Sequence, residues 1–149
     1  MNQVSLLLLD ELRKDSRKPF SKISREQKIP VTTLFSHYEK LKSEIISKHT
    51  SLVDFKKLGY PVRAMVFLQA ADQEMLLKFL ALHQNVNAVF RLEGISCCAD
   101  VVFQTINEYH EFLEELDRFS LVSKESYDII EQLMHEGFSI KRQPLRKII

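Results

Sequence analysis

The sequence predicts an α+β fold in two parts, and three observations carry that expectation. Helix-spaced apolar residues and two prolines cut residues 4–43 into three short helices. At residue 63 the hydrophobic period changes, and alternating strands begin to interleave with two helical stripes. The composition is that of one folded domain or two small ones: 149 residues, 45% hydrophobic and 28% charged, with only 3 Gly and 4 Pro.

Each element has a local reason. Val4 to Lys14 sets Leu8, Leu9 and Leu12 on one stripe. The polar run Asp15 to Lys18 ends this helix, and Pro19 biases its predecessor away from helical geometry. Ser21 is placed to cap a second helix, Lys22 to Lys28, with Ile23 inward; Ser24 stands where a full capping box needs Glu or Gln. Ile29-Pro30 breaks the chain again. A third helix, Val31 to Ser43, carries Leu34, Tyr38 and Leu41 at i, i+4 and i+7. Three short helices with a Pro-marked turn before the third make a helix-turn-helix. Ile45-Ile46 and Leu52-Val53 flank the polar run Ser47 to Ser51, which suggests a β-hairpin with a basic tip, the wing of a winged helix. Asp54 to Pro61, with Gly59, reads as a linker.

Past the linker the order is β, α, β, β, α, β. Arg63 to Gln69 alternates Ala64, Val66 and Leu68 against Met65 and Phe67. Asp72 to His83 has a helical stripe of Met75, Leu76, Phe79, Leu80 and His83. Val86 to Leu92 is a strand, Glu93 to Ser96 a turn, and Cys97 to Thr105 a third strand. Asn107 to Phe119 is a helix with Tyr109, Phe112, Leu113 and Leu116 on one side and Asn107 as its cap. Ser126 to Met134 is a last strand, although its apolar spacing also fits a helix. This order is that of the ferredoxin-like split βαβ unit. Helices cover only one face of such a sheet. The other face, with Met65, Phe67 and Val102, calls for a second subunit.

The net charge of +1 hides a segregation. Residues 1–62 carry 12 Lys/Arg against 7 acids; residues 63–140 carry 5 against 13; the last nine carry 4 and no acid. A basic head, an acidic body and a basic tail hint at nucleic-acid or membrane contact at one end, against which stands a chance segregation of solvated surface charge. The expected division is a winged helix-turn-helix over 1–52, a linker over 53–62, the βαββαβ domain over 63–138 and a basic tail over 139–149, to which no role is assigned. No apolar run approaches the ~20 residues of a membrane span, and no secretory leader pattern is present. A cytoplasmic protein with no membrane partner is the expectation.

At this level of detail the chain resembles the Lrp/AsnC (feast/famine) transcription regulators over roughly residues 6–136. The likeness rests on Leu8 to Arg17, on the positions of Ile23, Ser24, Ile29, Leu34 and Leu41, on Val53-Asp54-Phe55-Lys56-Lys57-Leu58-Gly59-Tyr60, and on Val122 to Glu136. The last of these favours strand over helix around Ser126 to Met134. The resemblance implies a DNA-binding regulator, dimers that assemble further, often to octamers, and an amino-acid effector bound at a Gly-x-x-Asp segment. Gly94 fits that segment, but Cys97 stands at its Asp position; Asp100 takes the role if the turn holds three extra residues. Pro30 and His37 also depart from the family, which usually has Ser and Arg there, and a Gly that leads into the wing is missing between Lys42 and Ile45.

For DNA, the third helix would turn Thr32, Thr33, Ser36, His37 and Lys40 outward, the short polar and basic groups that reach base edges. Arg17, Lys18, Lys22, Arg25 and Lys28 surround the turn, and Lys48 and His49 sit on the expected wing tip, as candidates for phosphate contact. Each of these is also compatible with an ordinary solvated surface. A two-fold dimer would read a palindrome with half-sites about 10 bp apart or a multiple. Enzyme readings find little support. The five histidines have no ligand spacing, no Gly-rich phosphate loop exists, and no metal or cofactor is expected. Sirohaem decarboxylases share the architecture, but their pattern has a His in the second strand and Val86 to Glu93 has none. Cys97 and Cys98, adjacent in a strand, cannot staple the fold, and at least one belongs to the core. The competing reading is a winged-helix adaptor that binds protein.

Overall fold

The computed structural model describes residues 1–140. These form two compact units: Met1–Ser51 with the described residues from Met134 on, and Leu52–Leu133. Lys141, Arg142, Arg146 and Lys147 of the basic tail lie outside the described residues.

The first unit contains α1 (Gln3–Lys14), α2 (Phe20–Gln27) and α3 (Val31–Glu44). Asn2 caps α1, its Oδ1 accepting the Ser5 N–H at 3.0 Å. Leu8, Leu12, Ile23, Leu34 and Leu41 bury themselves between the three helices, with Phe20 and Tyr38 packed at the edge. Each such residue is worth about 1.5–3 kcal/mol relative to exposure. Helix α2 starts earlier than the Ser21 cap predicts. Pro19 is its N-cap, as Pro30 is for α3, and neither helix has a side-chain cap. Proline's fixed φ holds the extended entry that a capping side chain would otherwise select. Lys28 ends α2 in the left-handed region, with φ 56°. That geometry lets the N–H groups of Lys28 and Ile29 both reach the Ser24 carbonyl and redirects the chain into α3.

The expected wing is corrected: residues 45–61 contain no strand. Its apolar arms are two residues each, and its tip, Lys48-His49-Thr50, has no residue suited to a positive-φ hairpin turn. Instead the chain makes a turn at 54–60, where Asp54 Oδ1 accepts the Lys57 N–H at 3.1 Å. The Tyr60 N–H donates to the Phe55 carbonyl, and Gly59 adopts φ 97°.

The second unit has β1 (Val62–Ala70), α4 (Gln73–Leu82), β2 (Val86–Arg91), β3 (Cys97–Phe103), α5 (Ile106–Leu116), a 3-10 turn over Asp117–Phe119, and β4 (Leu121–Asp128). The antiparallel sheet has the order β2-β3-β1-β4, the ferredoxin-like arrangement. Ala64, Val66, Leu68, Ala99, Val101 and Phe103 form one core with Leu76 and Leu80 of α4 and Tyr109, Phe112 and Leu116 of α5. Met75, expected on the inner stripe of α4, is exposed. Thr105, not Asn107, caps α5: its hydroxyl accepts the Glu108 N–H, and the Glu108 carboxylate accepts the Gln104 N–H. These reciprocal bonds settle two donors at the helix start.

The last strand is also corrected. It runs over Leu121–Asp128, about five residues earlier than its apolar content suggests. Pairing decides this: Ser126 sits opposite Val66, and the ladder ends where β1 begins, with the Ile129 N–H donating to the Arg63 carbonyl. Beyond that point Ile130 and Leu133 have no strand to pair with and are exposed.

Candidate nucleic-acid interface

The buried residues of the first unit set which side of α3 meets solvent. Leu34 and Leu41 face the core, and Tyr38 is half-buried beside them. Thr32, Ser36 and Lys40 are exposed, and Thr33 is half-buried. The uncapped N-terminus of α3, with no acid in its first turn, lies at the Thr32 end of this face. Helix α2 is likewise uncapped and has no acid in its first turn. Unpaired N–H groups and the positive dipole end together favour an anion.

The cations divide. Arg17, Lys22, Arg25, Lys28, Lys40 and Lys48 are exposed. Arg25 makes a long contact, 3.4 Å, to the Ser21 carbonyl. Lys18 corrects the expectation for it. Its Nζ lies 2.5 Å from both Glu11 and Glu26, and its side chain is only 15% exposed. Those carboxylates raise the Lys18 pKa, and the Lys18 ammonium lowers that of Glu26. Lys18 therefore links α1 to α2. His37 is corrected as well: it is half-buried, and its Nδ1 is 2.8 Å from the Ser5 hydroxyl of α1. His49 is not on a projecting tip but stacks on Tyr38, with its Nε2 3.3 Å from the phenol oxygen.

Two residues on this helix escaped the sequence reading. Phe35 is 55% exposed and Val31 44% exposed, one turn apart beside Thr32 and Ser36. The sequence reading assigned them to neither face; their angular position is just off the Leu34–Tyr38–Leu41 stripe. Glu39 is exposed too, an acid among the outward groups.

In the second unit the expected effector pair is not brought together. Gly94 occupies an exposed turn with φ 81° and open space around it. Cys97 already begins β3, so the turn holds no extra residues, and Asp100 lies mid-strand, 4% exposed. Arg63 donates to both its carboxylate oxygens, at 2.8 and 2.7 Å, and Asn87 donates to Oδ2 at 2.7 Å. A bulge in β2 between Val86 and Ala88 aims Asn87 at that carboxylate. Arg63 also donates to Gln132 and lies over the Phe55 ring, and its pKa is raised by the Asp100 carboxylate. Asp100 is thus a closed structural pin across β1, β3 and β2. This unit has a cleft of about 340 Å³ beside Tyr60, Phe103 and Glu111 and another of about 620 Å³ beside Met75, Phe79 and Arg118, and neither of these is lined by Gly94 or Asp100.

Both cysteines are buried and free. Burial pushes the Cys97 thiol up to about 11 and raises Cys98 also. A raised pKa disfavours the thiolate, the form that reacts. Among the described residues no group of three or more His, Cys, Asp or Glu could hold a metal ion. No helix among them is long and apolar enough to cross a membrane.

Comparison with known proteins places this geometry. The chain is 31% identical over 100 residues to the HTH-type transcriptional regulator LrpC of Bacillus subtilis, a match covering 65% of this chain and 69% of that one. It belongs to the Lrp/AsnC family of transcriptional regulators. No family model matches the chain. Solved structures agree on the Lrp/AsnC fold. The structure of B. subtilis LrpC superposes with a TM-score of 0.82 at 23% identity, over 90% of this chain and 97% of that chain. A transcriptional regulator of Neisseria meningitidis, solved as its L-Met complex, gives 0.84 at 13% identity over 100% and 99%. The family is one of regulators, not enzymes.

Proposed function

We propose that this Lrp/AsnC-type regulator binds palindromic duplex DNA as a dimer, with α3 in the major groove. The outward face of α3 carries the reading: Thr32, Ser36 and Lys40 are exposed and able to reach base edges. Arg17 and Lys22 flank the start of α2 and Lys28 precedes that of α3, where phosphates would settle both side chains and backbone donors, and Arg25 is exposed in the last turn of α2. Thr33 and Lys48 are further candidates for contact. Lys18 and His37 act indirectly, by tying α1 to α2 and α3, while the exposed His49 is a further candidate for contact.

Dimerisation is supported by the sheet face that α4 and α5 leave uncovered. Met65 and Phe67 are partly exposed there, and Phe90 and Tyr127 are more than half exposed. A symmetric partner would bury them. Further assembly, up to an octamer, follows only from family membership.

Selection from random duplexes tests the DNA reading. An enriched palindrome, bound with an affinity that falls steeply between about 50 and 200 mM salt, is the expected outcome. Failure to enrich any site at low salt refutes it and favours a protein-binding adaptor. An amino-acid effector is a second reading, favoured by the N. meningitidis neighbour's L-Met complex. Because Asp100 is tied to Arg63, that ligand would be held by groups other than the Gly94–Asp100 pair. A thermal-shift series over the free amino acids checks this: a ligand that binds the folded chain raises the midpoint.

A further inference from the structure

We propose that Phe35 reads the 5-methyl group of thymine in the major groove, and so fixes a base preference that the polar residues of α3 leave open. The inference rests on the DNA reading above and deepens it. The hydroxyls of Thr32 and Ser36 can donate or accept, so they bond to several bases and discriminate little. Phe35 cannot hydrogen-bond at all. On the major-groove edges of the four bases the one apolar group is the thymine methyl, and an aromatic ring is a surface that such a methyl can bury.

Three observations place the ring for that contact. Phe35 is 55% exposed although it is a large aromatic residue on a helix with an ample buried face. It lies in the N-terminal half of α3, the half of a recognition helix that contacts base edges. Val31, one turn earlier and 44% exposed, extends its apolar surface, and the exposed Thr32 and Ser36 adjoin it. The ring is also steadied from below. Phe20, at the start of α2, meets it edge-on with ring centroids 6.4 Å apart, and Phe20 itself packs edge-on against Tyr38 at 5.3 Å. A ring braced in this way loses less side-chain freedom on binding than a free one.

The test replaces thymine by deoxyuridine, which removes the methyl and nothing else, one position at a time in an enriched site. Affinities are measured by fluorescence anisotropy for the wild-type chain and for Phe35→Ala and Thr32→Ser. The wild type should lose about four-fold at one thymine in each half-site, the effect of one buried methyl group. Phe35→Ala should bind the thymine duplex more weakly and lose nothing further with deoxyuridine there. Thr32→Ser should keep the four-fold difference. Since Phe35 is largely solvent-facing, circular dichroism should show Phe35→Ala folded. The proposal is overturned if deoxyuridine is neutral for the wild type at every thymine, if Phe35→Ala retains the difference, or if Thr32→Ser abolishes it. A wild-type chain that binds no duplex would show up before any substitution and would overturn the DNA reading together with this one.

Discussion

The helical unit and the sheet unit handle charge in opposite ways. In the helical unit Arg17, Lys22, Arg25, Lys28 and Lys40 stand exposed around α2 and α3, while Lys18 is enclosed by Glu11 and Glu26 and Lys14 pairs with Asp10. In the sheet unit Arg63 and Asp100 are drawn onto the sheet and closed against each other, with Asn87 and Gln132 completing the set. The first arrangement leaves its charge available to a polyanion. The second uses charge to fix strand register and offers little to a ligand. The cores differ as well: five buried apolar residues hold the helices, whereas α4, α5 and the strands β1 and β3 supply the buried residues of the larger core over the sheet.

The largest effect should come from breaking the sheet's internal pair. Arg63→Ala leaves a buried carboxylate without its partner and should cost about 3–5 kcal/mol. Replacing both, as Arg63→Met with Asp100→Leu, should recover much of that loss, because the buried charge is gone. Urea unfolding of the three chains measures it. If the double replacement is worse than the single one, the pair contributes more than mutual neutralisation, and the contrast with the open helical surface sharpens.

Leu34→Ala probes the small core and should cost about 2–5 kcal/mol. With few other buried residues to compensate, the helical unit should lose amide-exchange protection while β1 and β3 keep theirs. Equal loss in both units would break the comparison of two separate cores.

Lys28→Gly should stabilise the helical unit by about 1 kcal/mol, because glycine adopts positive φ without the Cβ penalty. The same change removes one candidate phosphate contact. A raised midpoint with weaker DNA binding and a shallower salt slope is the expected pair of results.

The smallest effect concerns pH. Lys18 lowers the pKa of Glu26 below the ordinary 4.5. Its contribution is therefore complete above about pH 4.5 and is lost as pH falls through the depressed value in the folded chain. The raised Lys18 pKa acts in the other sense: its contribution is present below 10.5 and fades as pH rises past the folded value. Melting temperatures of the wild type and Lys18→Met from pH 3 to 6 should converge towards the acid end.

Much of this molecule is legible in its residues. Helices α1 and α3, the Pro-marked turn and the order of the βαββαβ unit follow from apolar spacing, because side chains one turn or two residues apart share a face whatever lies across from them. The outward Thr32, Ser36 and Lys40 follow from the same geometry. The wing misled because two apolar dipeptides around a basic run look like hairpin arms, yet they are too short to form a ladder. Phe35 was missed because it lies between the inward Leu34–Tyr38–Leu41 stripe and the outward polar groups, and its exposure is set by the angle of the helix against its neighbours.

What the sequence by itself determined was the local periodicity, the helical face turned to solvent and, through its motifs, the resemblance to the family. Only the tertiary structure decided where β4 pairs, that Asp100 belongs to Arg63 and not to Gly94, and that Lys18 belongs to Glu11 and Glu26. The reason is physical. These outcomes depend on groups far apart along the chain, whose meeting is set by strand register and helix packing. A carboxylate or an ammonium in the sequence carries no mark of the partner it will find.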